Sequence, residues 1–321
     1  MTDGTEHGSG ESDRTRTADP EGRPTVTVVV PVYDDVDRLR LCLRALARQD
    51  YPAHLLDVVV VDNASPSDQS PALPTGDARF RLLHEARRGS YAARNTGVAA
   101  ARGDVLAFTD ADCVPRPDWI SRAVDRWGGA ADRAVGGDIR LVFRDGRGPV
   151  SGPELYEVQH DFLQRTYVER WHFAATANLV VPRPLFERVG AFDSALQSGG
   201  DLDWGRRLAG AGGHLVFAAD AVVEHPSRPT WGELGRKTVR VANGLADKDA
   251  GATGRPALIR QALRNVRGGT TIWVKVWFRD RPEGVVPRLR YATAFTFVRL
   301  LRSGVHLQRA AHRRPPDPRQ R

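Results

Sequence analysis

Residues 25–32 read Thr-Val-Thr-Val-Val-Val-Pro-Val, and residues 55–61 read Leu-Leu-Asp-Val-Val-Val-Val. Near-continuous β-branched and apolar runs have no polar side to turn to water. They are the pattern of strands covered on both faces, as in a parallel sheet between layers of helices. The residues after each run support that reading. Beyond the first come Tyr33-Asp34-Asp35 and then Val36, Leu39, Leu43 and Leu46 at helical spacing, with Asp34 or Asp35 placed to cap the helix. The second stops abruptly in Asp62-Asn63-Ala64-Ser65-Pro66. The order is strand, helix, strand, with polar residues gathered where each strand ends. In open α/β sheets ligands bind in the crevice outside those ends. Asp62 is therefore a site candidate, and equally a turn aspartate before a loop.

The alternation continues downstream. A short strand is expected over 79–83, then a turn at Gly89 and a small-residue helix over 90–101 that carries Arg94. Residues 105–109 form the next strand and deliver Asp110-Ala111-Asp112, closed by Pro115 and Pro117. Alternate residues of an extended chain face the same way, so the two carboxylates can converge on one hard cation. A strand end followed by an Asx turn would read the same. Further on, the pattern predicts a helix over 117–127, a strand over 134–143, one helix over 152–172, a strand over 174–181 and a short helix over 184–189. Gly199-Gly200-Asp201 then opens a helix, where an aspartate is favourably placed against the dipole or simply caps the end. Two closing strands, 214–217 and 221–224, lead to His225, a position that is more often structural than a ligand. No internal repeat is visible.

Charge divides the chain. Residues 236–321 hold 20 Lys and Arg against 5 Asp and Glu, a net of +15, within a total of +8. A mildly acidic body therefore bears a basic end in which aromatics alternate with arginine, as in Trp273-Val274-Lys275-Val276-Trp277-Phe278-Arg279. Such stretches can rest on an anionic membrane surface or cover a core with a solvated arginine face. Residues 1–23 lack a core-forming pattern and read as a disordered leader without a signal peptide, and 312–321 as a disordered tail. No apolar run reaches the roughly 18–20 residues that span a bilayer. Two cysteines, Cys42 and Cys113, make no disulfide framework, which suits a reducing cytoplasm. The acidic body argues against a specific nucleic-acid groove.

Taken in order, VTVVVPVYDD, VVVVDNAS, GSYAARNTGVAAARGDVLAFTDADCVPRPDW, TANLVVPRPLFERVGAFDS and GGDLDWGRRLAGAG, with a strand ending in Glu224-His225, resemble a family 2 glycosyltransferase of the GT-A fold. The resemblance covers about residues 25–225. It implies an α/β domain over 24–228 with a mostly parallel sheet flanked by helices, followed by a helical basic extension over 229–311. It implies transfer of a sugar, with inversion, from a nucleotide-diphosphate donor to a glycan or lipid-linked acceptor, as in cell-envelope polysaccharide synthesis. A UDP-sugar leads among donors. On the family's pattern Pro31, Tyr33, Asp34, Asp62, Arg94 and Asp110 line the donor pocket. Asp110 and Asp112, with His225, hold a divalent Mg²⁺ or Mn²⁺. Asp201 falls at the last acid of the family's Glu-Asp motif, the catalytic base. Gly200 stands where glutamate is usual, which leaves Asp201 or Asp203 as the base, with Asp201 favoured. The location implied is cytoplasmic, peripheral on the inner membrane face through 271–311.

Two other functions are compatible with parts of the pattern. An inactive protein that keeps the fold as a binding scaffold finds support in Gly200. A nucleotidyltransferase would need a glycine-rich basic loop after the first strand, and VPVYDDVDRLR offers none.

Overall fold

The computed structural model describes residues 22–144, 146, 148–248, 254–278 and 282–312. The expected leader and tail lie almost wholly outside them. The first strand, β1 (Val26–Val32), is followed by α1 (Val36–Ala47) and β2 (Leu56–Asp62). Then come β3 (Phe80–His84), α2 (Ser90–Ala99) and β4 (Val105–Phe108). These four strands run parallel in the order β3-β2-β1-β4. The valine runs behave as their composition requires. Val26, Val28 and Val30 pack against Leu39, Leu43 and Leu46 of α1, while Val29 faces the opposite side with Leu106, Phe108 and Trp204. Each fully buried valine or leucine contributes about 1.5–3 kcal/mol relative to exposure, and both faces of β1 share in it.

The second half completes the sheet. A two-residue strand, β5 (Val114–Pro115), precedes α3 (Trp119–Trp127) and the long β6 (Arg133–Val142). Two helices follow, α4 (Gly152–His160) and α5 (Gln164–Trp171), then β7 (Leu179–Pro182), α6 (Arg183–Val189), α7 (Gly200–Gly210) and β8 (His214–Pro226). The full order is β3-β2-β1-β4-β7-β6-β8-β5, with β7 antiparallel to its neighbours and β5 antiparallel to β8.

The structure corrects three sequence expectations. The single helix over 152–172 is two, because the chain turns out of α4 at Asp161 and Phe162, the latter at φ 53°. Residues 176–178 form a 3-10 turn before β7 rather than the start of a strand. The two closing strands are one, β8, which stays paired with β6 across an irregularity between Gly137 and Asp138.

The basic end folds onto this body as α8 (Trp231–Lys248), α9 (Arg255–Lys275) and α10 (Val285–His312). Leu155 of α4 packs with Ile272, Val276, Tyr291 and Ala292, and Tyr156 with Leu234, Ala294 and Val298. Polar ties add register: His160 and the Tyr291 hydroxyl lie 2.8 Å apart, and Arg290 donates to the Val150 carbonyl at 2.8 Å. None of the described helices is long and apolar enough to cross a membrane.

Candidate active site

The C-terminal ends of β1, β2 and β4 open into a cavity of about 1070 Å³ whose other walls come from α5, α7, α8 and the end of β8. Parallel strands place their following loops on one side, so residues from distant parts of the sequence meet here. Three pairs of groups stand in it.

The first pair is Arg94 with Asp110. The Arg94 guanidinium, buried in α2, donates to the Asp110 carboxylate just beyond β4. Burial opposes its charge, but Asp110 and Asp201 outweigh that and hold it cationic.

The second is Asp112 with His225. The His225 ring is almost wholly buried, and burial, aided by Arg228 against the pull of Asp112, pushes its pKa down. The ring is neutral at pH 7. Nδ1 lies 2.7 Å from the Pro226 carbonyl, which can only accept, so the ring proton sits on Nδ1. Nε2 therefore carries the lone pair, 3.5 Å from Asp112 Oδ2 and 3.5 Å from Arg228 Nη2. An unprotonated imidazole nitrogen facing a carboxylate is a donor pair that suits a divalent cation. The Cys113 thiol is within 4.8 Å of both, and burial and the two aspartates push its pKa well above normal. Oxygen and nitrogen ligands, with Asp110 two residues upstream of Asp112, fit Mg²⁺ or Mn²⁺.

The third is Tyr91 with Asp201. The Tyr91 hydroxyl donates to Asp201 Oδ1 at 2.5 Å and accepts the Gly200 amide at 3.0 Å. Burial and the Asp201 charge raise the phenol's pKa far above normal, so it remains a donor. The Thr176 amide holds Asp201 Oδ2 at 3.2 Å. Each carboxylate oxygen keeps a lone pair free to take a proton. Gly200 is explained by the same contact: a Cβ there would lie 2.6 Å from Tyr91 Cζ and 2.7 Å from Cε2. The tyrosine ring fills the space that a side chain at 200 would need.

Other sequence-selected residues divide between the cavity and its supports. Pro31 and Tyr33 line it, with Asn63 beside them. Asp34 does not: it sits at φ 50° and accepts from the Ser67 hydroxyl at 2.5 Å. Asp62 is buried behind the wall, accepting the Ser65 amide at 3.0 Å and facing His84 Nδ1 at 3.1 Å. Asp203 turns away along α7 to Arg207 at 3.0 Å. Sequence reasoning did not single out Tyr91, whose signal was the empty side chain at Gly200.

Cations dominate the wall from the C-terminal helices. Arg228 and Lys237 are neutralised: Glu157, fully buried in α4, takes Arg228 at 2.7 Å, and Asp161 takes Lys237 at 2.7 Å. Burial pushes the Lys237 pKa down despite these acids. Arg206, Arg240 and Arg302 line the same cavity with no carboxylate partner among the described residues.

Known proteins resemble this chain in sequence and in fold. The sequence model described as Glycosyl transferase family 2 matches residues 27–190. Glycosyltransferase AglE of Haloferax volcanii is 34% identical over 263 residues, 81% of this chain and 83% of that protein. Pre-mycofactocin glycosyltransferase of Mycobacterium tuberculosis is 31% identical over 209 residues, 63% of this chain and 43% of its own length. Succinoglycan biosynthesis protein ExoO of Rhizobium meliloti is 34% identical over 190 residues, 56% of this chain and 53% of its own. The chain thus spans about half the length of the latter two. Among solved structures, mannosyltransferase PcManGT from Pyrobaculum calidifontis, in complex with GDP-Man and Mn²⁺, aligns with a TM-score of 0.56 at 23% identity, over 93% of this chain and 79% of that one. That likeness shows the GT-A fold.

Proposed function

We propose a reaction from one premise: the chain belongs to glycosyl transferase family 2 and is a glycosyltransferase. The reaction is inverting transfer of a sugar from a nucleotide-diphosphate donor to a hydroxyl of a glycan or lipid-linked acceptor. The observation that carries it is the convergence of Arg94–Asp110, Asp112–His225 and Tyr91–Asp201 on one cavity at the strand ends.

Pro31, Tyr33 and Asn63 receive the nucleoside, and Arg94 with Asp110 fixes the region of the diphosphate. Asp34 and Asp62 serve the donor through the loops they brace. A divalent cation held by Asp112 and His225, with Asp110 nearby, would offset the charge gathering on the departing diphosphate. Asp201 accepts the proton of the acceptor hydroxyl as it attacks, a contribution of about 10²–10⁴-fold. Tyr91 and the Thr176 amide hold the carboxylate in one orientation. Attack from the face opposite the leaving phosphate inverts the anomeric carbon. A UDP-sugar is the first donor to test, with a GDP-sugar beside it.

The cytoplasmic membrane face is the proposed location. Trp273, Val274, Trp277 and Phe278 at the end of α9 and Val285, Val286 and Leu289 at the start of α10 stay exposed, although both helices pack on the body. With the positive charge of this region they suit an anionic bilayer surface.

A panel of nucleotide sugars, assayed for hydrolysis without acceptor and for thermal stabilisation with and without Mn²⁺, tests the reading. One donor should be hydrolysed and should stabilise the protein more with the metal. No response to any donor would refute it.

A further inference from the structure

One aromatic feature of the cavity has no part in the chemistry of Asp112, His225 and Asp201. Helix α5 ends at Trp171, and His172 adopts the left-handed conformation at φ 55°. The chain folds back so that the Phe173 amide donates to the Tyr167 carbonyl at 3.1 Å. Three rings are thereby brought into nearly parallel planes. Tyr167 and Phe173 have centroids 4.8 Å apart at 16°, Tyr167 and Trp171 5.3 Å at 20°, and Trp171 and Phe173 6.3 Å at 13°. All three line the cavity. Tyr167 and Phe173 are half-buried, but Trp171 is 54% exposed. Tryptophan is on average highly buried, so a rigid indole 54% exposed inside a concavity is an apolar face suited to stacking.

The position of this facet says what the occupant is. A Cβ at Gly205 would lie 2.6 Å from Phe173 Cβ and 2.7 Å from the His172 carbonyl oxygen. Gly205 stands one helical turn beyond Asp201 on α7, and its bare backbone lets the facet's turn seat directly on the helix of the proposed base. Thr176, three residues after Phe173, donates its amide to Asp201. The Tyr167 phenol is pushed up to about 12 by burial first, then by Asp161, with the Asp201 charge also contributing. Facet and base are thus one unit.

Sheet order separates that unit from the nucleoside end. Tyr33 and Asn63 follow β1 and β2, on one side of β4. Helix α5 packs over β6 and β8 on the other side, where Gly136 meets Val168 and the Arg165 guanidinium lies 4.6 Å from the Phe217 ring centroid. A flat apolar face matches the C–H face of a pyranose, and the exposed Arg206 in the same cavity supplies donors for ring hydroxyls.

We infer that Tyr167, Trp171 and Phe173 form the acceptor platform, on which a pyranose ring of the acceptor stacks and is presented to Asp201. The acceptor is therefore recognised through a sugar, which narrows the choice between a glycan and a bare lipid carrier. The inference rests on the glycosyltransferase reading.

Saturation-transfer NMR tests it on the full chain with diamagnetic Mg²⁺ and a nucleoside diphosphate present. The probes are hexyl β-glucopyranoside, β-galactopyranoside and β-mannopyranoside. For at least one of them the ring protons should saturate with the wild-type protein. The signal should fall roughly fivefold or more in Trp171→Ala and survive in Trp171→Phe. Circular-dichroism spectra matching the wild type show that both variants are folded. Ring signals that persist in Trp171→Ala, absent ring signals in the wild type, or saturation confined to the hexyl chain would each overturn the platform. Wild-type protein that hydrolyses no donor would instead overturn the glycosyltransferase reading, so the two failures are distinguishable.

Discussion

Replacing Gly200 with alanine adds one methyl group at a crowded point behind Asp201. That carbon would stand 2.6 Å from Tyr91 Cζ, 2.7 Å from Cε2 and 2.9 Å from Cε1. Carbon atoms prefer separations of about 3.5–4.0 Å. The ring has little room to retreat, being 5% exposed, with the Phe192 centroid at 5.8 Å and the Arg94 guanidinium 5.6 Å from its centre. Overpacking of this kind costs about 1–3 kcal/mol, offset in part by up to about 1 kcal/mol from the better helix propensity of alanine. A net loss of about 1–2 kcal/mol lowers Tm by about 2–8 °C. Any shift of the ring also breaks its hydrogen bond to Asp201. A bond to a charged group is worth about 1.5–3 kcal/mol, or roughly 10- to 150-fold in kcat if the proposed base loses its orientation. Calorimetry and donor-hydrolysis kinetics read the two effects. Adding Tyr91→Leu to Gly200→Ala removes the clash but should not restore kcat, because the hydroxyl that holds Asp201 is gone. Wild-type kcat and Tm in Gly200→Ala, or recovery of kcat in the double variant, would refute the reasoning.

Three more perturbations have definite expected outcomes. In Asp112→Ala the additional thermal stabilisation that Mn²⁺ gives to nucleoside-diphosphate binding should disappear; an unchanged shift would remove Asp112 from the metal site. Glu85 is bonded by the Arg87 side chain, by the Thr96 hydroxyl and by the Arg87 amide, which hold its carboxyl near 2 instead of 4.5. A depressed folded-state pKa contributes stability above pH 4.5 that is lost as pH falls toward 2, so Tm of Glu85→Gln should fall less steeply over that window than wild type. Replacing Trp277 and Phe278 together by serine should weaken co-sedimentation with anionic liposomes without altering donor hydrolysis, whereas undiminished co-sedimentation would remove the α9–α10 tip from the membrane.

The sequence was most legible where local composition determines structure. The runs through β1 and β2 have no polar face, so their burial on both sides could be read directly, and Asp110, Asp112 and Asp201 stand at the element ends the pattern marked. The break between α4 and α5 was not legible, because residues 160–164 contain neither glycine nor proline. It is imposed from a distance: Asp161 is held by Lys237 of α8, and the Phe162 ring packs 4.3 Å from His225. Residues 218–220 looked like a gap between strands because the irregularity that β8 absorbs belongs to its pairing with β6. Tyr91 and the Trp171 facet escaped for a related reason. Each gains its role from a glycine on α7, Gly200 or Gly205, and a missing side chain reveals its purpose only when the neighbour that fills the space is known. The cations of the C-terminal helices read as a surface charge, whereas Arg228 and Lys237 are buried ion-pair partners and Arg240 and Arg302 line the cavity.

Substitution of Asp201 by asparagine, with turnover and donor affinity measured on the same preparation, tests the central claim most directly. The side chain keeps its shape and can still accept from Tyr91 but can no longer take a proton. Turnover should fall about 10²–10⁴-fold, while the Kd for the donor with Mn²⁺ stays within about twofold. Turnover retained within about tenfold of wild type would contradict the assignment of Asp201 as the base.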